Sequence, residues 1–381
     1  MDVGAYIWPA YTGADNRSRI FWPEGRGEWQ SVRSALPKFP GHRLPRVPLL
    51  GYQDEADPQV MRQQIDLAAD HGVNTFIYDW YWYDGLPYLE NCLNDGFLKA
   101  ENRGRMKFYL MWANHDVNFT WDKRISDQPG AVLWQGRQPR GEFIRITERW
   151  MERYFTQPNY YTVDGCPVVM IYDVDNLIKG LGGVRPARMA LDDFRRRAVC
   201  AGFKGVHIQM VLWSEGVHDL SGVDGSHMNS AELARALGFD SLTNYQYVHF
   251  VDIDRDYAEV MRDVERKWAS FNKIGIPYWP HVSIGWDNNP RFNSLRKGIM
   301  KNNTPEEFGR ALEKAKSLAE STGAPMVTIN SWNEWTEMSY LLPDDVYGYG
   351  YLDEVKRVFG GRQRRVSAGR VLARNLLACR G

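Results

Sequence analysis

Short runs of apolar, β-branched and aromatic residues recur along this chain, spaced widely enough for a helix between each pair. Eight of them predict strands, at Gly4–Tyr11, Thr75–Tyr81, Lys107–Ala113, Val168–Asp173, Val206–Leu212, Ser241–Tyr245, Tyr278–Ile284 and Pro325–Ser331. Several are continuously apolar, the pattern of parallel strands buried on both faces. Between them apolar positions recur at helical spacing. Asp57-Pro58 opens a helix over Gln59–His71 with an N-cap and a first-turn proline, Gly72 closes it, and Val60, Ile65, Leu67 and Ala68 give it an apolar face. Further helices are predicted over Glu142–Tyr154, Pro186–Ala201, Ser230–Leu237 and Tyr257–Asn272. Thr304-Pro305-Glu306-Glu307 caps one that runs to Ser321, and Tyr351–Phe359 is a short last one. Alternating strands and helices predict a (β/α)8 TIM barrel over residues 1–360, with a tail at 361–381. A doubly wound open sheet is the competing arrangement, and it lacks a Gly-rich phosphate loop after an early strand.

Two connections are long. Residues 12–56 carry Trp22 and Trp29, and residues 114–140 carry Trp121 and Trp134. Both leave carboxyl ends of predicted strands, the face where barrels keep their sites. The tail from Arg362 has six arginines and no acid, and reads as a solvated terminus.

Composition narrows the partners. Among 381 residues, 47 are basic and 47 acidic, so nothing favours a nucleic acid, whose phosphates reward excess positive charge. No run approaches the roughly 18 apolar residues of a membrane span. Cys92, Cys166, Cys200 and Cys379 lack metal-ligand spacing, and no cofactor motif occurs. Met1-Asp2-Val3-Gly4 leads straight into a strand without a signal-peptide pattern, which leaves two compartments open: secreted or periplasmic with a leader removed, or cytoplasmic. Oligomeric state is equally open. The 15 Trp and 20 Tyr are in excess of what folding requires. Such rings suit a cleft that stacks on the apolar faces of sugars.

The predicted strand ends concentrate these rings with polar groups. The candidate sugar-binding residues there are Tyr6, Trp8, Asp79, Tyr81, Trp82, Trp112, Asn114, His115, Asp173, Asn244, Tyr245, Trp286, Asp287, Arg291, Trp332 and Asn333. Each has a plain alternative. Asp173 caps a helix or turn; His115 is a structural hydrogen-bonder; one of Trp80 and Trp82 packs in the core, since strand neighbours face opposite ways; Asp287 holds its own loop through Arg291. Asp173 and Asp175 lack the glycine-punctuated pattern of a calcium loop, so no metal is expected.

The last strand breaks into Asn330-Ser331-Trp332-Asn333-Glu334-Trp335-Thr336-Glu337. In an extended strand residues i and i+3 point apart. If the chain turns after Trp335 they become neighbours at roughly 5–6 Å, near the ~5–5.5 Å between the carboxyls of retaining glycosidases. Two carboxyls that close do not both ionise easily, and Glu337 is the expected protonated member.

Several motifs, in order and across nearly the whole chain, resemble the WbsX-type, glycoside hydrolase family 99-like group. They are Phe39-Pro40-Gly41-His42, Pro45-Arg46-Val47-Pro48, Leu50-Gly51-Tyr52, Asp57-Pro58 with Met61 and Gln64, Tyr81-Trp82, Trp112-Ala113-Asn114, Val163-Asp164-Gly165, Gly285-Trp286-Asp287-Asn288, Trp332-Asn333-Glu334-Trp335 and Tyr347-Gly348-Tyr349. The resemblance implies a TIM barrel that cleaves α-linked, mannoside-like glycans, with endo-α-mannosidases as relatives. It implies that Glu334 acts as base on the sugar 2-hydroxyl, which displaces the leaving group to give a 1,2-anhydro sugar, and that Glu337 is acid, then base, with retention. The chain departs from the pattern at Met338, where Gly is usual, at Leu342, where Glu is usual, and at His115-Asp116, where Glu-Asn is common. Two other activities fit the sequence: a glycosyltransferase of polysaccharide synthesis, which the family label suggests, and a non-catalytic glycan-binding barrel.

Overall fold

The structure, a computed structural model, describes residues 1–121, 127 and 130–360. The basic tail and Cys379 lie outside the described residues. The eight barrel strands are β1 (Asp2–Ile7), β2 (Thr75–Tyr83), β3 (Lys107–Trp112), β4 (Cys166–Ile171), β5 (His207–Val211), β6 (Ser241–Thr243), β7 (His281–Ser283) and β8 (Met326–Asn330). They pair in parallel in the order β6-β5-β4-β3-β2-β1-β8-β7. Register is set by pairs such as Gly4 with Thr75, Val3 with Val327 and Trp80 with Trp112. The seam between β6 and β7 is narrow. Leu242 pairs with Tyr278; the Leu242 N–H donates to the Pro277 carbonyl at 2.8 Å, and the Trp279 N–H to the Leu242 carbonyl at 2.8 Å. A nearly closed (β/α)8 barrel results, as the alternation of apolar runs predicts.

The helices begin where their caps lie. Asp57 accepts from the Gln59 N–H at 2.8 Å ahead of α1 (Pro58–Asp70). α2 (Arg140–Arg149) continues into a π-turn over Trp150–Tyr154. α3 (Val174–Leu181) and α4 (Val184–Cys200) follow β4 in tandem. A reciprocal Asn229–Glu232 capping box opens α5 (Ser230–Leu237). α6 (Tyr257–Phe271), α7 (Pro305–Thr322) and α8 (Gly350–Phe359) complete the ring. Among the described residues no helix is long and apolar enough to cross a membrane.

The barrel interior is polar as well as aromatic. The Thr243 and Thr328 hydroxyls meet at 3.0 Å, His281 reaches Thr328 at 3.0 Å and Ser283 at 2.9 Å, and the Tyr109 hydroxyl donates to Gln209 at 3.2 Å. Fully paired groups of this kind fill the interior without the penalty of orphaned donors. They form the floor of the site.

Above that floor the two long connections pack on each other. Trp22 stacks on Trp121 with centroids 6.1 Å apart, Phe21 meets Trp134 at 5.6 Å, and Trp121 lies 5.2 Å from Trp8 at the end of β1. Aromatic pairs contribute about 0.5–1.5 kcal/mol each beyond buried area, enough to hold loops that carry little regular structure.

Candidate active site

The peptide after β8 turns at once. Asn333–Glu334 pairs antiparallel with Ser339–Tyr340, and Trp335–Glu337 forms a single 3-10 turn between them. The Ser331 hydroxyl accepts from the Glu334 N–H at 2.7 Å and donates to the Ser339 carbonyl at 2.7 Å. Asn333 locks this corner to the end of β1: its Oδ1 accepts from the Trp8 N–H at 2.8 Å, and its Nδ2 donates to the Trp8 carbonyl at 2.9 Å and to Glu55 at 2.8 Å. Met338 closes the turn at φ 55°. A left-handed position suits glycine, which explains why Gly would be usual there. Met338→Gly is therefore expected to be more stable than Met338→Ala by about 1 kcal/mol, reversing the usual order of the two residues, as urea denaturation would show.

The turn brings Glu334 and Glu337 together on one guanidinium. Arg291 Nη2 donates to Glu334 Oε1 at 2.7 Å, Nη1 to Glu337 Oε1 at 2.8 Å, and Nε to Glu28 Oε1 at 2.8 Å. Glu28 is fully buried and its other oxygen accepts from the Trp8 indole N–H. Arg291 also lies over the Trp8 ring, 5.8 Å from its centroid. It comes from the turn Asn289–Arg291 after β7, which is braced to the motif because the Asp287 N–H donates to the Glu337 carbonyl at 2.8 Å.

Both glutamates line a cavity of about 300 Å³ at the carboxyl end of the barrel. Trp8, Asp79, Tyr81, His115, Trp121, Tyr172, Trp213, Tyr245 and Arg291 line it with them. Three carboxyls around one cation leave excess negative charge in a dry place. Burial raises Glu334 well above the usual carboxylate range, and repulsion from Glu337 adds to this against the pull of Arg291. Burial also raises Glu337, while Arg291 opposes the rise. Asp79 is raised well above its ordinary value by burial and, after the opposing Tyr245 hydrogen bond, by Glu337. The pair thus holds a proton to higher pH than ordinary carboxyls do. Burial raises both members, so the proton belongs to the pair. Two acceptors stand open: Glu337 Oε2 and Asp79 Oδ1 are buried without a hydrogen-bond partner, while Asp79 Oδ2 accepts from the Tyr245 hydroxyl at 3.0 Å. Buried unpaired acceptors in a cavity are places for ligand hydroxyls. His115 is held lower than usual by burial, so it is a neutral imidazole in this wall.

Of the sequence candidates, Trp8, Asp79, Tyr81, His115, Tyr245 and Arg291 line the cavity with the glutamates. The others do not. Tyr6 is fully buried behind Tyr245, with ring centroids 4.8 Å apart and its hydroxyl donating to the Asn244 carbonyl at 2.9 Å. Asn244 is spent on the Leu212 carbonyl at 2.5 Å and on the Tyr278 hydroxyl. Trp82 and Trp112 face outward from their strands; Trp82 donates to Glu142 at 2.9 Å, and Trp112 packs against Trp150 and Phe143. Asn114 and Asp173 hold each other, Asn114 Nδ2 donating to the Asp173 carbonyl at 2.7 Å and Oδ1 accepting from the Asp173 N–H at 2.8 Å. The Asp173 carboxylate caps α3 by accepting from the Asn176 N–H at 2.8 Å. Trp332 is buried in the core and donates to Gln64 at 2.7 Å, and Asn333 is the positioning residue described above. Trp286 and Asp287 line a separate, neighbouring pocket. Among the described residues no group of three or more His, Cys, Asp or Glu side chains converges as a cation cage.

Contributors outside the sequence candidates include Glu28, Asp116, Trp121, Tyr172 and Trp213. Trp213 is 37% exposed at the rim and stacks flat on His249, with centroids 4.3 Å apart at 5°. Its place at the end of a predicted strand, followed by Ser214-Glu215, was the available signal. Glu28 sits mid-loop, and nothing local marks it.

Away from the cavity, Asp175, His218 and Ser230 form an Asp-His-Ser string with contacts of 2.7 and 2.9 Å. Ser230 is buried and its hydroxyl donates to the Ser214 carbonyl at 2.5 Å, so it anchors a hairpin and is no nucleophile. Glu55, behind Asn333, is pushed up to about 8 by burial, against the hydrogen bonds from Asn333, Gln64 and Cys92. A carboxyl raised in this way makes the folded chain bind more protons than the unfolded one between about 4.5 and about 8. Its contribution to stability is therefore present at low pH and falls as pH rises through that window, by about 1.4 kcal/mol per pH unit. Glu55→Gln is expected to gain stability relative to the parent between pH 5 and 8, which urea unfolding at both values would reveal.

Residues 4–355 match the family described as Glycosyltransferase WbsX. Two curated relatives, both the uncharacterized protein WxcX from strains of Xanthomonas campestris pv. campestris, are 29% identical over 345 residues, 88% of this chain and 46% of each relative. The chain thus spans about half the length of the curated relatives it matches. Among solved structures, a GH99 endo-alpha-mannosidase from Bacteroides thetaiotaomicron in complex with BIS-TRIS-propane aligns with a TM-score of 0.60 at 14% identity, covering 93% of this chain and 95% of that one. A protein described as glycoside hydrolase-like aligns with a TM-score of 0.57 at 14% identity, covering 94% and 93%. At that identity the likeness is one of fold.

Proposed function

The chain belongs to the Glycosyltransferase WbsX family, and we propose that it is a retaining glycoside hydrolase that cleaves α-linked, mannoside-like glycans within the chain. One observation carries the proposal: two buried carboxyls, gripped by the two terminal nitrogens of one guanidinium, face an aromatic-lined cavity at the carboxyl end of the barrel. The fold shared with an endo-alpha-mannosidase supports the choice of substrate class.

Glu334, steadied in its ionised form by Arg291, takes the proton of the sugar 2-hydroxyl. That oxygen attacks C1 as the glycosidic C–O bond breaks, and Glu337 gives its proton to the departing oxygen. Water then attacks C1 while Glu337 takes a proton from it. The C1–O2 bond of the 1,2-anhydro sugar breaks, and Glu334 returns its proton to O2. Two inversions give retention, and the sum is addition of one water. Glu337 suits the acid role because its Oε2 has no internal partner. A 2-hydroxyl hydrogen-bonded to Glu334 favours the ionised form there, which leaves the shared proton on Glu337. Asp79 Oδ1 and the Trp8, Tyr81 and Trp213 rings would fix and stack the sugar.

The glycosyltransferase reading needs a cradle for a nucleotide diphosphate. The cation lining this cavity, Arg291, is committed to three carboxylates, and Asp79, Asp116 and the two glutamates make the lining acidic. Such a lining repels a diphosphate. The deciding experiment incubates the protein with α-mannan oligosaccharides and no sugar donor. New reducing ends, with α-anomeric product in the first NMR spectra, are expected. Turnover that requires a nucleotide sugar would replace this reading with the transferase, and tight binding without turnover would replace it with a glycan-binding barrel.

A further inference from the structure

A second pocket, of about 200 Å³, adjoins the first at the catalytic turn: Glu337 lines one and Met338 the other. Its walls come from Phe39–Arg46, Trp286-Asp287 and Tyr340–Tyr351, so it gathers sequence motifs that the carboxyl pair leaves unused.

Its acids are already satisfied. Asp344 Oδ2 accepts from Arg46 Nη1 at 2.9 Å and from the Tyr340 hydroxyl at 2.7 Å, while Oδ1 accepts from the Val346 and Tyr347 N–H groups at 3.0 and 2.7 Å. Asp287 Oδ1 accepts from the Asn289 N–H and side-chain amide at 3.0 and 2.7 Å. Its Oδ2 meets His42 Nε2 at 2.7 Å. Because His42 Nδ1 accepts from the Lys38 N–H at 3.2 Å, it is Nε2 that carries the hydrogen and donates to Asp287.

The cations are not satisfied to the same degree. Arg46 Nε is buried without a partner. Arg43 is exposed and has no carboxylate partner among the described residues. Two guanidiniums with free donors thus face a hollow walled by Trp286, Tyr347 and Tyr351. Guanidinium donors recognise carboxylate and phosphate oxygens, and the rings suit a sugar face.

We propose that this pocket binds an acidic sugar residue of the glycan, a carboxylated or phosphorylated ring, beside the bond that is cleaved. As a statement about substrate it rests on the glycan-cleavage reading; as a statement about binding it is measured without turnover.

The test titrates glucuronic acid, galacturonic acid, glucose 6-phosphate, glucose and inorganic phosphate, followed by protein NMR shifts. The proteins are the parent chain, Arg43→Gln, and the Glu334→Gln/Glu337→Gln double variant. At least one acidic sugar is expected to bind about tenfold or more tighter than glucose, as a charge-assisted hydrogen bond implies. Arg43→Gln, a change at an exposed side chain, should remove that advantage, and the double variant should keep it. Which acidic sugar binds tells carboxylate from phosphate. No advantage over glucose, an advantage untouched by Arg43→Gln, or inorganic phosphate binding as tightly as the best sugar (an adventitious ion only) would overturn the proposal. Because the double variant cannot turn over, acidic-sugar binding that persists while the parent cleaves nothing would sink the hydrolase reading and leave the pocket standing.

Discussion

Glu337→Gln is expected to lower kcat/KM on a natural α-linked glycan by about 10²–10⁴-fold, the usual worth of a positioned general acid. On an aryl glycoside with a good leaving group the first step needs little proton donation, so the loss there should be much smaller. Glu334→Gln should damage both substrates alike, since activation of the 2-hydroxyl is needed whatever leaves. Equal losses on both substrates for Glu337→Gln would remove it from the acid role, and near-normal turnover by Glu334→Gln would remove the base. The pH profile gives a second readout. Activity requires one proton on the pair, and burial raises both members, so the alkaline limb of kcat/KM should fall well above the ordinary carboxylate value of about 4.3. Glu337→Gln should abolish that limb. An alkaline limb at the ordinary value would mean that the pair is solvated and the site open.

The barrel was legible because its strands are continuous apolar runs and its helices carry caps that read locally. The site was legible only where strand parity holds. Asp79 and Tyr81 share one face of β2 and line the cavity, whereas Trp80 and Trp82 share the other, stacked 5.8 Å apart. Trp112 stands in register with Trp80, so the same parity turns it outward. Those two candidates could have been rejected from alternation and pairing alone. Trp332 and Asn333 could not, because the turn after β8 breaks the alternation. Asn114 and Asp173 look like ligand-binding groups in sequence, yet the Asn114 amide is consumed by the Asp173 backbone across adjacent strands and the Asp173 carboxylate by the cap of α3, pairings visible only in three dimensions. α3 escaped notice because Asp173-Val174-Asp175 reads as the polar end of a strand. It is the cap and first turn of an eight-residue helix. Glu28 reaches the site across 263 residues of chain to meet Arg291, beyond any local signal.

Arg291 is the part whose loss should be felt most widely. Arg291→Met leaves Glu28, Glu334 and Glu337 buried around an apolar side chain. Stripping one partner from a buried ion network costs about 3–5 kcal/mol, because the remaining charges stay desolvated. The cost should depend on pH in a definite direction. Without the guanidinium, the folded-state values of Glu334 and Glu337 rise further above those of the unfolded chain, so the folded variant takes up more protons than the unfolded one as pH falls. The stability deficit against the parent should therefore be smaller at pH 5 than at pH 8, and urea unfolding at the two values measures it. Arg291→Lys keeps the charge. An ammonium cannot, however, present donors in the planar fork that reaches Glu28, Glu334 and Glu337 from Nε, Nη2 and Nη1. It should restore much of the stability and little of the activity. Arg291→Met/Glu28→Gln should recover part of the loss of Arg291→Met, since it removes one of the stranded charges. A deficit that does not change between pH 5 and pH 8 would mean that the glutamates escape to water when the cation is gone. The carboxyl pair would then not be confined in the dry, shared position on which its division into acid and base depends.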